Sequence, residues 1–114
     1  MSEIRPSWLA ELCPSWCSGD HEGQDHPADR YHHSPQVLVP VVVPTRGVRH
    51  RTVASKDRAV EPAEFSVLAL RPVGDEWTTW VAVVGERQFL EVTLESAVRL
   101  HGALGELLEQ LRRP

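Results

Sequence analysis

The sequence predicts an α+β domain, in which a small antiparallel β-meander of three to five strands is packed by one C-terminal helix behind an N-terminal Cys/His segment. Three observations carry this. Short β-rich runs alternate with turn signals through the middle of the chain, apolar residues recur at helical spacing near its end, and the first 35 residues have neither period. A chain of 114 residues is the length of one domain with one modest core. Its apolar content of 41% and charged content of 25% are ordinary for a globular fold, which argues against wholesale disorder. The reading is therefore a head over residues 1–35, not stable alone, and a sheet-plus-helix body over 36–114, together one domain.

From Gln36 to Val43 the chain is valine-rich and broken by Pro40. Proline donates no ladder hydrogen bond, so this strand belongs at an edge or a bulge. Pro44 and Gly47 interrupt it, Val48–Ala54 reads as a further strand, and Lys56–Glu64 reads as loop. Phe65–Arg71, Trp77–Val84 and Gln88–Thr93 are strands separated by turn signals at Pro72-Val73-Gly74-Asp75 and Gly85-Glu86. Both alternating faces of the middle run are apolar enough to place it centrally in the sheet. Thr93 is an N-cap, since its hydroxyl can accept an orphan amide of the first turn. Glu95 and the Arg112-Arg113 pair suit the two ends of the helix dipole. Leu94, Ala97, Val98, Leu100, His101, Leu104, Leu107, Leu108 and Leu111 form a wide apolar stripe, read first as core against the sheet and second as a surface for another copy. His101 on that stripe reads as a core histidine. Gly102 and Gly105 each cost the helix about 1 kcal/mol relative to alanine.

Chemistry concentrates in the head. Cys13-Pro-Ser-Trp-Cys17-Ser-Gly-Asp-His21 is followed by His26 and His32-His33, so both cysteines and four of six histidines fall within 21 residues. Two thiolates and two imidazoles satisfy tetrahedral zinc, and a three-residue gap suits a cysteine ligand pair. Pro14 fits the start of a turn that brings positions 13 and 17 together. Gly19 permits the bend that returns His21 to the same point. Cys13, Cys17, His21 and His32 are the candidate ligands, with His33 as the alternative fourth and His26 as a third choice. Adjacent histidines point to different sides, so one of the 32–33 pair ligates while the other packs elsewhere. Trp16, inside the ligand loop, reads as its small core, and Trp8 as packing or, if exposed, a partner contact. A metal explains how a segment so poor in apolar residues folds, because binding free energy becomes folding free energy. The rival readings are an unmetallated polar arm and a redox cysteine pair.

The CPSWC string, the histidine after it and the His32-His33 pair resemble the opening of a family of small actinobacterial proteins of unknown function. In that family a Cys/His head precedes a short meander, and the chain closes on a helix opening with a threonine, a leucine and an acidic residue. Thr93-Leu94-Glu95 matches that ending. The resemblance implies the fold and brings no activity.

Composition narrows the function classes. A formal charge of −4 argues against coating nucleic acid or anionic membrane by bulk charge. No apolar run approaches the ~20 residues of a membrane span, the N-terminus lacks a signal-peptide pattern, and two cysteines suit a reducing, cytoplasmic setting. Arg46, Arg49, Arg51, Lys56 and Arg58 form a basic run that offers nucleic acid as an alternative partner. No His-Glu-x-x-His, deaminase, nucleophile-elbow or phosphate-loop pattern occurs, and a Cys2His2 set closes the coordination sphere. The sequence therefore points to a non-enzymatic zinc-binding interaction or regulatory module with a protein partner, a homodimer being compatible with it. A nucleic-acid-binding regulator is the alternative, and a metal-dependent hydrolase comes third.

Overall fold

In the computed structural model, residues 6–45, 59–75 and 77–114 are described. A short 3-10 turn (η1, Pro27–Asp29) leads into β1 (Tyr31–His33) and β2 (Val37–Pro44). Next come β3 (Val60–Pro72), β4 (Trp80–Val84), β5 (Phe89–Thr93) and the helix α1 (Leu94–Arg112). All strand pairs are antiparallel. The five strands form one sheet in the order β1-β3-β4-β5, with β2 also on β3. The α+β architecture anticipated from the meander and the helical stripe is the one observed.

Long β3 organises the sheet. Its start pairs with β2 and its end with β1, so residues 31–44 run along a single edge of β3. His33 lies opposite Leu70 and Val37 opposite Val67, which leaves one extra residue on the edge side between them. Such a bulge bends its strand and re-aims side chains. Ser34 occupies it: its amide donates to the Ala69 carbonyl at 3.0 Å, and its hydroxyl accepts from the Ala69 amide at 2.8 Å. Pro40 sits in the edge strand opposite Glu64, where a missing donor costs least. β4 is central as expected, with Ala82 buried between neighbours on both sides.

Several boundaries differ from the sequence reading. Residues 60–64, read as loop, belong to β3, because they pair with Pro40, Val41, Val42, Val43 and Pro44 of β2. Trp77, read as strand, precedes β4 and is 90% exposed. The Asp75 carboxylate accepts from the amides of Trp77 and Thr78, and that turn delays the strand. The strand read over Val48–Ala54 lies outside the described residues.

The helix begins where anticipated, with the Thr93 hydroxyl accepting from the Ser96 amide at 3.2 Å. The Leu94 amide donates to the Thr79 carbonyl and ties the first turn to the sheet. Beyond that turn the helix leaves the sheet. No helical residue is buried, and the leucine stripe and His101, read first as core, are exposed. The radius of gyration of 18.4 Å exceeds the about 13 Å of a compact chain of this length. Among the described residues, no helix is long and apolar enough to cross a membrane.

Candidate metal centre

Three devices fold the head back on itself. The Cys17 amide donates to the Pro14 carbonyl at 3.0 Å, closing a turn that carries Cys13 and Cys17 to one place. Gly19 follows at φ 82°, a conformation that glycine adopts without strain, and its amide donates to Cys17 Sγ at 3.4 Å. The chain then turns back at His21, which is buried. The fourth residue arrives from β1, held in place by pairing of His32 with Arg71 of β3.

Cys13, Cys17, His21 and His32 are thereby gathered with their ligand atoms within 4.8 Å of one another, and this group could hold a metal ion. His21 Nε2 lies 3.4 Å from Cys13 Sγ and 3.8 Å from Cys17 Sγ. For a tetrahedral ion with sulfur at 2.3 Å and nitrogen at 2.0–2.1 Å, that edge is about 3.6 Å. The two observed edges bracket it.

The histidines have their outer nitrogens engaged. His21 Nδ1 donates to Gln24 Oε1 at 3.0 Å, which leaves Nε2 with a lone pair facing the sulfurs. Gln24 Oε1 is itself fixed by the Tyr31 amide at 3.0 Å. His32 is fully buried, and its Nε2 donates to Glu11 Oε2 at 2.6 Å. Its Nδ1 is buried with no hydrogen-bond partner. Such an orphan is costly unless something occupies the lone pair. Carboxylate or carbonyl partners on the far nitrogen are the usual means of orienting a metal-ligating histidine. Here the two histidines offer opposite nitrogens, Nε2 from His21 and Nδ1 from His32.

Glu11 links the head to the sheet. Its Oε1 accepts from the Gly74 amide at 2.8 Å while Oε2 takes the His32 proton. The hydrogen bond from His32 holds its carboxyl below the ordinary carboxylate range. Partial burial opposes this, and the Gly74 amide and the Arg71 guanidinium reinforce it. Trp8 packs its ring edge-on to His21 at 5.7 Å, with the Arg30 guanidinium 4.4 Å above its face. Trp16 lies under the guanidinium of Arg71 at 5.3 Å, and Arg71 also donates to Thr79 Oγ1. Trp16 therefore packs between the ligand loop and the sheet rather than within the loop alone.

His33, the alternative fourth ligand, points away from this cluster. Its Nε2 donates to the Asp20 carbonyl at 3.0 Å, and the Ser18 amide donates to its backbone carbonyl at 2.7 Å. His26 accepts from the Ala28 amide as the cap of η1 and is exposed. The alternation expected of neighbouring histidines holds, with His32 inward and His33 bracing the 18–20 bend. Glu11, Gln24 and Arg30 were not singled out in the sequence. Glu11 lies 21 residues from the histidine it orients, a separation at which no local pattern exists. The basic run of Arg46, Arg49, Arg51, Lys56 and Arg58 lies outside the described residues.

Compared with known proteins, residues 5–114 match the model of one family, described as a domain of unknown function (DUF6907). No curated protein and no solved structure matches.

Proposed function

The chain belongs to the DUF6907 family, and we propose that its head folds around one structural zinc ion, making the domain a small interaction or regulatory module rather than an enzyme. The observation that carries this is the fully buried His32. Its Nδ1 has no partner, beside two thiols and a second imidazole whose far nitrogen is likewise engaged. Two sulfurs and two nitrogens are the donor set of closed, tetrahedral structural zinc, where softer Cu(I) prefers more sulfur and harder Mg2+ or Ca2+ prefers oxygen. In such a site the ion holds residues 13–32 together and leaves no coordination position for a substrate. Glu11, the carboxylate bonded to His32, has its two oxygens engaged by His32 and Gly74, which does not suit a general base. The exposed Trp77 and the exposed leucines of α1 support an interaction role. Cys13 and Cys17 set as a ligand pair rather than a disulfide fit a reducing, cytoplasmic setting.

Elemental analysis of the purified full-length protein tests the metal reading, with Cys13→Ser and His32→Ala beside it. One zinc per chain in the parent, lost in both variants together with dispersion of the head resonances, is the expected result. A metal-free parent with both thiols freely titratable would overturn it.

A further inference from the structure

The helix α1 leaves an apolar face without a packing partner among the described residues of its own chain. Leu94, Leu100, Leu104, Leu107, Leu108 and Leu111 are each between 39% and 70% exposed. A 19-residue helix that among the described residues is anchored by its first turn, and that carries two glycines, is marginal without packing on its apolar face. The spacing of that face is informative. Positions 94, 97, 101, 104, 108 and 111 step by three and four alternately, which is the a/d pattern of a helix-pairing seam. Leu100 and Leu107 widen the seam along one flank.

We propose that this face pairs antiparallel with the same helix of a second copy, giving a two-fold dimer. The register follows from the sequence. Centred between residues 102 and 103, every a residue meets a d residue: Leu94 with Leu111 of the second copy, His101 with Leu104, and Leu108 with Ala97. Leu100 and Leu107 of the second copy, offset by two residues from direct opposition, lie along the same widened flank. On the other flank lie Gly102 and Gly105, for which the described residues of the single chain supply no steric reason, since a side chain at either position would meet none of them within 4 Å. In the dimer they fall at the middle of the crossing, where small residues let two helices approach closely. Charge selects the same arrangement. Antiparallel pairing sets Glu95 of each copy beside Arg112 of the other, twice per dimer, and aligns the helix dipoles favourably. A parallel pair would set Glu95 against Glu95 and Arg112 against Arg112. The six leucines offer roughly 100 Å² each, hence about 1,200 Å² over both copies, which reaches the size of a stable interface. This inference stands independently of the metal.

Sedimentation equilibrium of the full-length, metal-loaded protein is the test, run up to about 100 µM, where a complex of micromolar affinity is fully formed. The parent is expected to be dimeric. Leu104→Glu is expected to be monomeric with unchanged helical circular dichroism. Glu95→Arg and Arg112→Glu are each expected to weaken the dimer several-fold, and the double reversal to restore it. A monomeric parent would overturn the proposal, as would a dimer insensitive to Leu104→Glu. Failure of the double reversal to rescue would overturn the antiparallel register.

Discussion

The head and the helix are opposite solutions to the shortage of core in a 114-residue chain. Residues 6–35 contain few apolar side chains, yet His21, His32 and Leu9 are buried there. The helix contains seven leucines and valines at helical spacing, yet buries none of them. Apolar content alone therefore predicts the order of neither region. The head is organised by convergence of polar groups, two thiols and two imidazoles that could hold a metal ion. The helix is tied to β4 and β5 at its cap and first turn, and the rest of its apolar stripe is exposed. On the reading proposed above, both regions look for a partner beyond the apolar core of the described residues.

The sharpest way to break this comparison is to remove the ion. Apparent zinc binding in small structural sites is worth about 10–16 kcal/mol near neutral pH. Chelation, or His32→Ala, is therefore expected to abolish order over residues 13–33 while leaving α1 and the β3–β5 pairings intact. Residue-resolved amide exchange checks this, and loss of protection throughout the sheet would show that head and body are one cooperative unit. Because protons and metal compete for the same imidazole and thiolate lone pairs, affinity is expected to fall as pH is lowered. A competitive chelator titration at several pH values measures that slope, and a pH-independent affinity would contradict the ligand set.

Glu11→Gln is a smaller perturbation of the same region. It keeps the shape and an acceptor for the His32 proton but removes the charge that strengthens this bond. Loss of an oriented carboxylate behind a ligating histidine typically costs 10–100-fold in metal affinity, about 1.4–2.7 kcal/mol. An unchanged affinity would mean that Glu11 serves only to tie the head to Gly74.

For the helix, Gly102→Ala with Gly105→Ala separates local propensity from packing. Each substitution is expected to favour the isolated helix by about 1 kcal/mol, yet the pair is expected to weaken self-association. Thermal circular dichroism and sedimentation read the two effects separately, and strengthening of both together would show that the glycines have no role in close approach. The smallest effect is expected from Arg71→Met, which keeps an apolar stem over Trp16 but removes the cation. About 0.5–1 kcal/mol is expected from the lost cation–π contact, with a further contribution from the bonds to Thr79, read by denaturant unfolding. No change in stability would make Trp16 an incidental neighbour of the sheet.

What the sequence disclosed follows from how local each feature is. The Thr93 cap, the central placement of β4 and the edge position of Pro40 rest on residues within a few positions of one another, and all are found. Cys13, Cys17 and His21 were legible for the same reason. Choosing His32 over His33 required the pairing of β1 with the end of β3, and three residues between polar neighbours give no strand signal. Glu11 became visible only when that pairing placed His32 beside it. The helix was correctly bounded but misplaced in depth. Periodicity identifies the apolar face of a helix and says nothing about whether the sheet reaches far enough to cover it.

The most direct test of the central claim is a two-bond ¹H–¹⁵N correlation spectrum of the imidazoles in the zinc-loaded protein. The account predicts two metal-bound histidines of opposite type: His32 bonded through Nδ1 with its proton on Nε2, and His21 bonded through Nε2 with its proton on Nδ1. His33 and His26 are predicted to remain metal-free. Both ligands bound through the same nitrogen, or His33 bound in place of His32, would contradict it.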